Sequence, residues 1–258
     1  MADTKEILTF AVELGDCLLR NGAEVYRIED SIMAILESHD IKDGDVYVLS
    51  NGIFASANEL TEDSCSIIRH VPLAPMHMGR ISALNNLCRE VCNGTVSIEE
   101  AWVKLEEFKK IPTYQDWLLI LASGIGSGCF SYLFGGTIYD GIFATFIGFV
   151  LQFFLNVLAK NNTSKAVKNV LASGLVSILA IGVFALGAPV QFDKVIIGDI
   201  MPLVPGIALT NSVRDFINGD YLSGSIRLID ALLTAFCIAV GVGVVITFTH
   251  FYLKGIVL

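Results

Sequence analysis

The chain has 258 residues, 53% of them hydrophobic and 17% charged, and a net charge of −9; its mean hydropathy is +0.64. That is too apolar for an ordinary soluble domain and too charged for a chain buried in membrane throughout. The two characters are segregated: residues 1–116 hold 10 Lys/Arg and 20 Asp/Glu, a net of −10, and residues 117–258 hold 7 and 6, a net of +1. An acidic soluble part repels phosphate, which excludes a basic nucleic-acid binder. The cysteines (Cys17, Cys65, Cys88, Cys92, Cys129, Cys237) are too scattered for a disulfide-framed module. Cys88 and Cys92 sit one helical turn apart without the second pair that structural zinc uses, so no metal and no cofactor is expected.

The opening Met1-Ala2-Asp3-Thr4-Lys5-Glu6 is polar and no apolar h-region follows, so no signal peptide is expected and the soluble part stays where it is made. Residues 5–38 read as helix, with Ile7, Leu8, Ala11, Leu14, Leu18 and Leu19 on one stripe. Asn21-Gly22 interrupts it, and a second helix follows through Val25, Ile28, Ile32 and Ile35. Val46–Ser50, Ile53–Ala57 and Cys65–Val71 read as strands of a short antiparallel sheet, with Asn51-Gly52 as a hairpin turn. Met76–Cys92 returns to helical spacing. Ser97 and Glu100 form a capping box for a helix that runs to about Lys110 and is broken by Pro112. The soluble domain, 1–116, is therefore α+β.

From Trp117 onward five apolar runs follow: Trp117–Phe134, Gly141–Ala159, Val170–Leu186, Val195–Val213 and Leu228–Leu253. Each is close to the roughly 20 residues that a membrane span needs. The expected second domain, 117–258, is an all-α membrane domain of five transmembrane helices, the fourth broken by Pro and Gly. Eight cations (Lys104, Lys109, Lys110, Lys160, Lys165, Lys168, Arg214, Arg227) lie on one side of this topology and two (Lys194, Lys254) on the other. This positive-inside bias puts the soluble domain in the cytoplasm, close under the bilayer behind the short Thr113–Asp116 linker, and the C-terminus outside.

The fourth run carries the most chemistry. Pro202, Pro205 and Gly206 cannot lie in one uninterrupted helix, and the backbone groups they free need protein or water partners inside a membrane. Broken spans of this kind build substrate sites near the midplane of secondary transporters. Asp199 within the same run costs roughly 2.5–3.5 kcal/mol at a helix centre, which points to a functional carboxylate; the alternative is an Asp near the outer end that reaches water. The polar stretch beyond it holds Arg214, Asp215, Asn218, Asp220, Ser223, Arg227 and Asp230, with Arg227 and Asp230 at pairing distance along a helix. It suits either a mouth that attracts a zwitterion or carboxylate, or a clamp between spans. Gly135, Gly136 and Asp140 form a tight outer turn, and Gly124 and Gly128 a GxxxG packing face. In the soluble domain, Arg27 beside Glu24, Glu29 and Asp30 reads as a solvated, salt-bridged face. His39, His70 and His77 have no partner at diagnostic spacing, and a hydrolase site built from Cys65, His70 or Ser50 is a minor alternative.

Residues 196–233, IIGDIMPLVPGIALTNSVRDFINGDYLSGSIRLIDALL, resemble the threonine/serine exporter family, in particular its split form, in which a large subunit works with a small one. NGAEVYRIEDSI (21–32), SNGIFAS (50–56) and LFGG with Asp140 match further motifs of that family. The resemblance covers essentially the whole chain. Asp230 and Ala55 depart mildly from it, standing where glutamate and valine are usual. It implies a secondary transporter subunit of the inner membrane that exports threonine and serine, driven by the proton motive force as an antiporter. An odd number of spans implies that the second half is a separate, inverted small membrane partner, and an oligomer is expected. Succinate and other dicarboxylates are the alternative cargo, and a membrane-tethered hydrolase the alternative class. On this reading Asp199, Pro202, Pro205, Gly206 and Asn211 form the substrate and proton path, with Asp199 the proton carrier. Arg214, Asp215, Asp220, Ser223 and Arg227 form an inner gate.

Overall fold

The computed structural model describes residues 4–58, 64–72, 76–112, 114–160 and 163–252. Met1–Asp3, Thr113 of the expected linker, the end of the fifth predicted span at Leu253 and the outer-side Lys254 lie outside the described residues. The chain forms two compact units: Met1–Thr113 together with Thr210–Arg227, and Tyr114–Leu209 together with Leu228–Leu258.

The first unit opens with helices α1 (Thr4–Arg20) and α2 (Val25–Ser38). Gly22 at φ 79° makes the turn between them, a conformation that costs a side-chain-bearing residue energy. Strands β1 (Gly44–Leu49), β2 (Gly52–Asn58) and β3 (Ser64–His70) form an antiparallel sheet in the order β1-β2-β3. Leu49 pairs with Gly52, so the hairpin turn is Ser50-Asn51; the Asn51-Gly52 turn expected from sequence is displaced by one residue because Gly52 already belongs to the ladder. Helices α3 (Met78–Cys92) and α4 (Ile98–Lys109) complete the N-terminal part, α4 starting at the Ser97/Glu100 capping box. Val48, Ile53, Ala55 and Ala57 share one sheet face and are buried against Leu8, Leu14, Leu18, Ile28, Ile32, Leu84 and Leu105. Each buried Val, Leu or Ile side chain contributes about 1.5–3 kcal/mol relative to exposure. Phe10 meets Trp102 edge to face at 5.4 Å and ties α1 to α4.

The second unit contains α5 (Asp116–Leu133), α6 (Ile138–Lys160), α7 (Lys165–Ala185), α8 (Phe192–Ile200), a 3₁₀ turn (Met201–Leu203), the start of α9 (Gly206–Ile217) and most of α10 (Tyr221–Tyr252). Four helices, α5, α6, α7 and α10, are long and apolar enough to cross a membrane. The fourth predicted run is not among them, because it divides at Pro202 and Pro205 into α8, the 3₁₀ turn and α9. The last span starts at Tyr221, seven residues before its apolar run, since Ser223, Gly224, Ser225 and Arg227 are helical despite their polarity.

Packing here is the reverse of a soluble core. Ser127, Ser131, Ser173, Ser177, Asp140 and Asp199 are buried, whereas Phe146, Phe153, Ile178, Phe236, Val244 and Phe248 are exposed. Close helix approach through small residues is the usual device where lipid is the surrounding solvent. A Cβ on Gly128 would fall 2.6 Å from the Gly141 carbonyl, and one on Gly148 would fall 2.8 Å from the Gly124 Cα. These glycines let the backbones of α5 and α6 touch.

Candidate functional site

Asp199 stands one residue from the end of α8, fully buried. The broken stretch is built by prolines that lack N–H groups. The 3₁₀ pattern compensates: Met201 N–H donates to the Gly198 carbonyl, and Val204 N–H reaches the carbonyls of Ile200 and Met201, both at 3.2 Å. Val204 is extended, and Gly206 restarts the helix. α8 lies against α5 because residue 198 is glycine; a Cβ there would be 2.6 Å from the Ser127 carbonyl and 2.7 Å from the Ser131 Cβ. The Ser127 hydroxyl therefore comes up to the Asp199 carboxylate. Neither carboxylate oxygen of Asp199, nor the hydroxyl of Ser127 or Ser131, forms a bond of full hydrogen-bond geometry with a described residue. Buried polar groups are normally satisfied, which sets this group of three apart from the rest of the unit's interior. Ser127 and Ser131 were not singled out from sequence. The signal was there: Ser123, Ser127 and Ser131 recur every fourth residue of an apolar helix, interleaved with Gly124 and Gly128.

Of the other residues expected on the path, Pro202, Pro205 and Gly206 share the second unit with Asp199, whereas Asn211, also buried, belongs to the first. Asp140 caps its own turn: it accepts from the Thr137 N–H at 2.6 Å and the Thr137 hydroxyl at 2.8 Å, and its other oxygen accepts from the Gln191 N–H at 2.6 Å. Gly135, at φ 89°, gives α5 its left-handed terminus, and Gly136 lies against the Ser131 carbonyl, where a Cβ would be 2.7 Å away. The turn thus also fixes the segment that leads into α8.

Arg214, Asp215, Asp220, Ser223 and Arg227 all lie in the first unit, where they meet the two N-terminal motifs. Arg214 pairs with Glu24. The buried Arg227 guanidinium is 3.4 Å from the Asp215 carboxylate and donates to the Ala23 carbonyl at 3.3 Å. The Ser223 hydroxyl accepts from the Ser50 N–H at 3.1 Å. Asp220 faces Glu29 electrostatically; burial raises the Glu29 carboxyl above its ordinary value, the Val48 N–H bond at 2.8 Å opposes this, and Asp220 adds to it.

Two sequence expectations are corrected here. Arg227 does not pair with Asp230, which instead binds Lys165 at 2.6 Å, because Arg227 is drawn to Asp215 and Ala23. Glu24 is not part of a solvated face: its side chain is 15% exposed and sits between Arg27, at 2.9 Å, and Arg214. Cys65 and His70 are five residues apart on β3 and so on opposite sheet faces, roughly 17 Å apart. Cys65 and His70 therefore do not pair as nucleophile and base.

Polar side chains turned inward, large apolar ones turned outward and four span-length helices define a multi-pass membrane protein that carries an α+β unit. Its family is equally well defined. The model of the family described as "Putative threonine/serine exporter" matches residues 9–249, and the chain belongs to that family. It is similar to a "Probable threonine/serine exporter" of Mycobacterium tuberculosis, 24% identical over 242 residues, which cover 93% of this chain and 45% of the relative. It is similar also to a "Threonine/serine exporter" of Corynebacterium glutamicum, 22% identical over 250 residues, 92% of this chain and 50% of the relative. The chain thus spans about half the length of the curated relatives it matches. No solved structure matches it.

Proposed function

We propose that this chain is one subunit of a secondary exporter of small amino acids, threonine and serine, completed by a second membrane subunit. The observation that carries this reading is the buried Asp199 carboxylate beside a helix break and the Ser127 and Ser131 hydroxyls. A small hydroxy amino acid offers an ammonium to the carboxylate and a hydroxyl to the serines. Asp199 is the group that carries the proton in exchange, and Pro202, Pro205 and Gly206 supply the irregular backbone around it. The α+β unit lies in the cytoplasm and the complex in the inner membrane. Arg214, Asp215, Asp220, Ser223 and Arg227 form the inner gate, held by the motifs at 21–32 and 50–56. The names of the relatives support threonine and serine as cargo.

The test is efflux from cells that lack their own exporters, expressing the chain alone, the chain with its small partner, or Asp199→Asn with the partner. One arm is loaded with a threonine-containing dipeptide and the other accumulates succinate. Partner-dependent threonine efflux that is lost in the variant is expected. Threonine efflux retained by Asp199→Asn removes the proton-carrier role. Succinate efflux alone replaces the amino acid by a dicarboxylate, and no efflux of either, with both proteins in the membrane, overturns the reading.

A further inference from the structure

The N-terminal unit is acidic, yet it carries an open cleft of about 420 Å³ whose charged lining is mostly basic: Arg20, Arg69, Arg80 and Lys109 against Glu13 and Asp16. Four of the ten cations of residues 1–116 converge there, with two of the twenty acids.

Three of the four cations are held in place. Asp16, buried, binds the Arg20 guanidinium through both oxygens at 2.6 and 3.1 Å. Arg80 is fixed by two donations to the Ile111 carbonyl, at 3.0 and 2.6 Å, and its other terminal amino group bonds no described residue. Lys109 bridges Glu13 at 2.8 Å and Glu106 at 2.7 Å. Burial alone would lower the Lys109 ammonium, but these bonds outweigh it and hold it charged. Arg69 lies on the same side of β3 as Ile67 but is exposed, and it makes no ion pair or side-chain hydrogen bond with a described residue. The floor includes Cys17, whose thiol burial pushes up to about 12, so it stays neutral. Glu13, Asp16 and Cys17 bring their ligand atoms within 4.8 Å of one another, but both carboxylates already hold a cation, which leaves them poor ligands for a metal.

We propose that this cleft is a binding site for a small organic carboxylate, of the size of a di- or tricarboxylic acid, held by Arg69 and that other amino group of Arg80. An arginine fork matches the two oxygens of a carboxylate, and a volume above about 300 Å³ suits a metabolite. The site is separate in residues from Asp199 and stands whether or not the export reading does.

The test is calorimetric titration of the purified full chain with succinate, with succinamide as the neutral control and inorganic phosphate as the competing anion. Four proteins are compared: the parent, Arg69→Gln, Glu13→Gln and Asp199→Asn. Succinate is expected to bind saturably to the parent and to Asp199→Asn alike, and at least about tenfold more weakly to Arg69→Gln, the loss of one charge-assisted contact. Glu13→Gln removes a negative charge from the lining and is expected to bind severalfold tighter, a gain that general damage to the fold does not give. Succinamide is expected not to bind. Binding lost in Asp199→Asn, or equal in the parent and Arg69→Gln, overturns the proposal. Absence of saturable binding also overturns it, and phosphate binding tighter than succinate overturns the carboxylate assignment.

Discussion

Among single residues, the most informative are those the fold leaves half satisfied. Glu29 accepts one hydrogen bond from Val48 but is partly buried and faces Asp220. Its proton is therefore held more tightly in the folded chain than in the unfolded one, and the sign follows. Its contribution to stability is complete below the ordinary value of 4.5 and is lost as the pH rises through the raised folded value. Glutamine keeps an oxygen for the Val48 N–H and does not titrate. The thermal midpoint of the parent should fall relative to that of Glu29→Gln as the pH goes from about 4 to about 7. Parallel profiles would show that Glu29 is ordinary. Glu24 and Glu29 also show the limit of reading charges along one helix. The sequence reads both as members of a solvated, salt-bridged face, and Arg27 does pair with Glu24, but Arg214 and Val48, which also bond Glu24 and Glu29, come from elsewhere in the chain. No local spacing rule finds those two distant partners.

Secondary structure was the more legible level, and the misreadings have a common cause. Apolar runs locate the lipid-facing part of a helix, not its ends. The start of α10 was missed because Ser223, Gly224 and Arg227 dilute the hydropathy of its first two turns. Pro202 and Pro205, by contrast, act through the backbone, and the division of the run at these residues needs no tertiary contact to be foreseen. What sequence could not rank was the glycines. Gly198 and Gly206 flank the same break, and their environments differ completely. A Cβ at 198 meets the Ser127 carbonyl, whereas one at 206 has nothing within 4 Å. Gly198→Ala is expected to force α8 off α5 and lower stability by about 1–3 kcal/mol. Gly206→Ala should match or exceed the parent by up to about 1 kcal/mol, since alanine is the better helix former. Thermal unfolding of the two variants in detergent decides this, and equal losses would mean that the α5–α8 contact is not as close as described. A Gly206→Ala protein that is stable but does not export would then place that glycine in function rather than in packing.

At the scale of the whole molecule, the first unit is not continuous in sequence. It recruits Thr210–Arg227 from far along the chain, and α9 and α10 each pass from one unit into the other without a break in the helix. The motif-bearing residues of the N-terminal part and of the 210–227 segment therefore form one cluster, with Ser50 bonded to Ser223, Ala23 to Arg227 and Glu24 to Arg214. Composition had drawn a division between an acidic half and an apolar half. It could not show that a piece of the second half folds with the first, because that depends on pairings more than 170 residues apart in sequence. The arrangement is testable by covalent capture. The Ser50 N–H lies 3.1 Å from the Ser223 Oγ, and cysteines substituted at these two positions are expected to cross-link on oxidation. The double variant Ser50→Cys, Ser223→Cys, with a protease site inserted between Ile111 and Tyr114, is expected to stay one band after oxidation and cleavage and to separate into two on reduction. Each single variant controls for the native cysteines and should separate under both conditions. Separation of the double variant without reductant would show that the 210–227 segment does not rest on the N-terminal motifs, and the gate assigned to Arg214, Ser223 and Arg227 would lose its anchor.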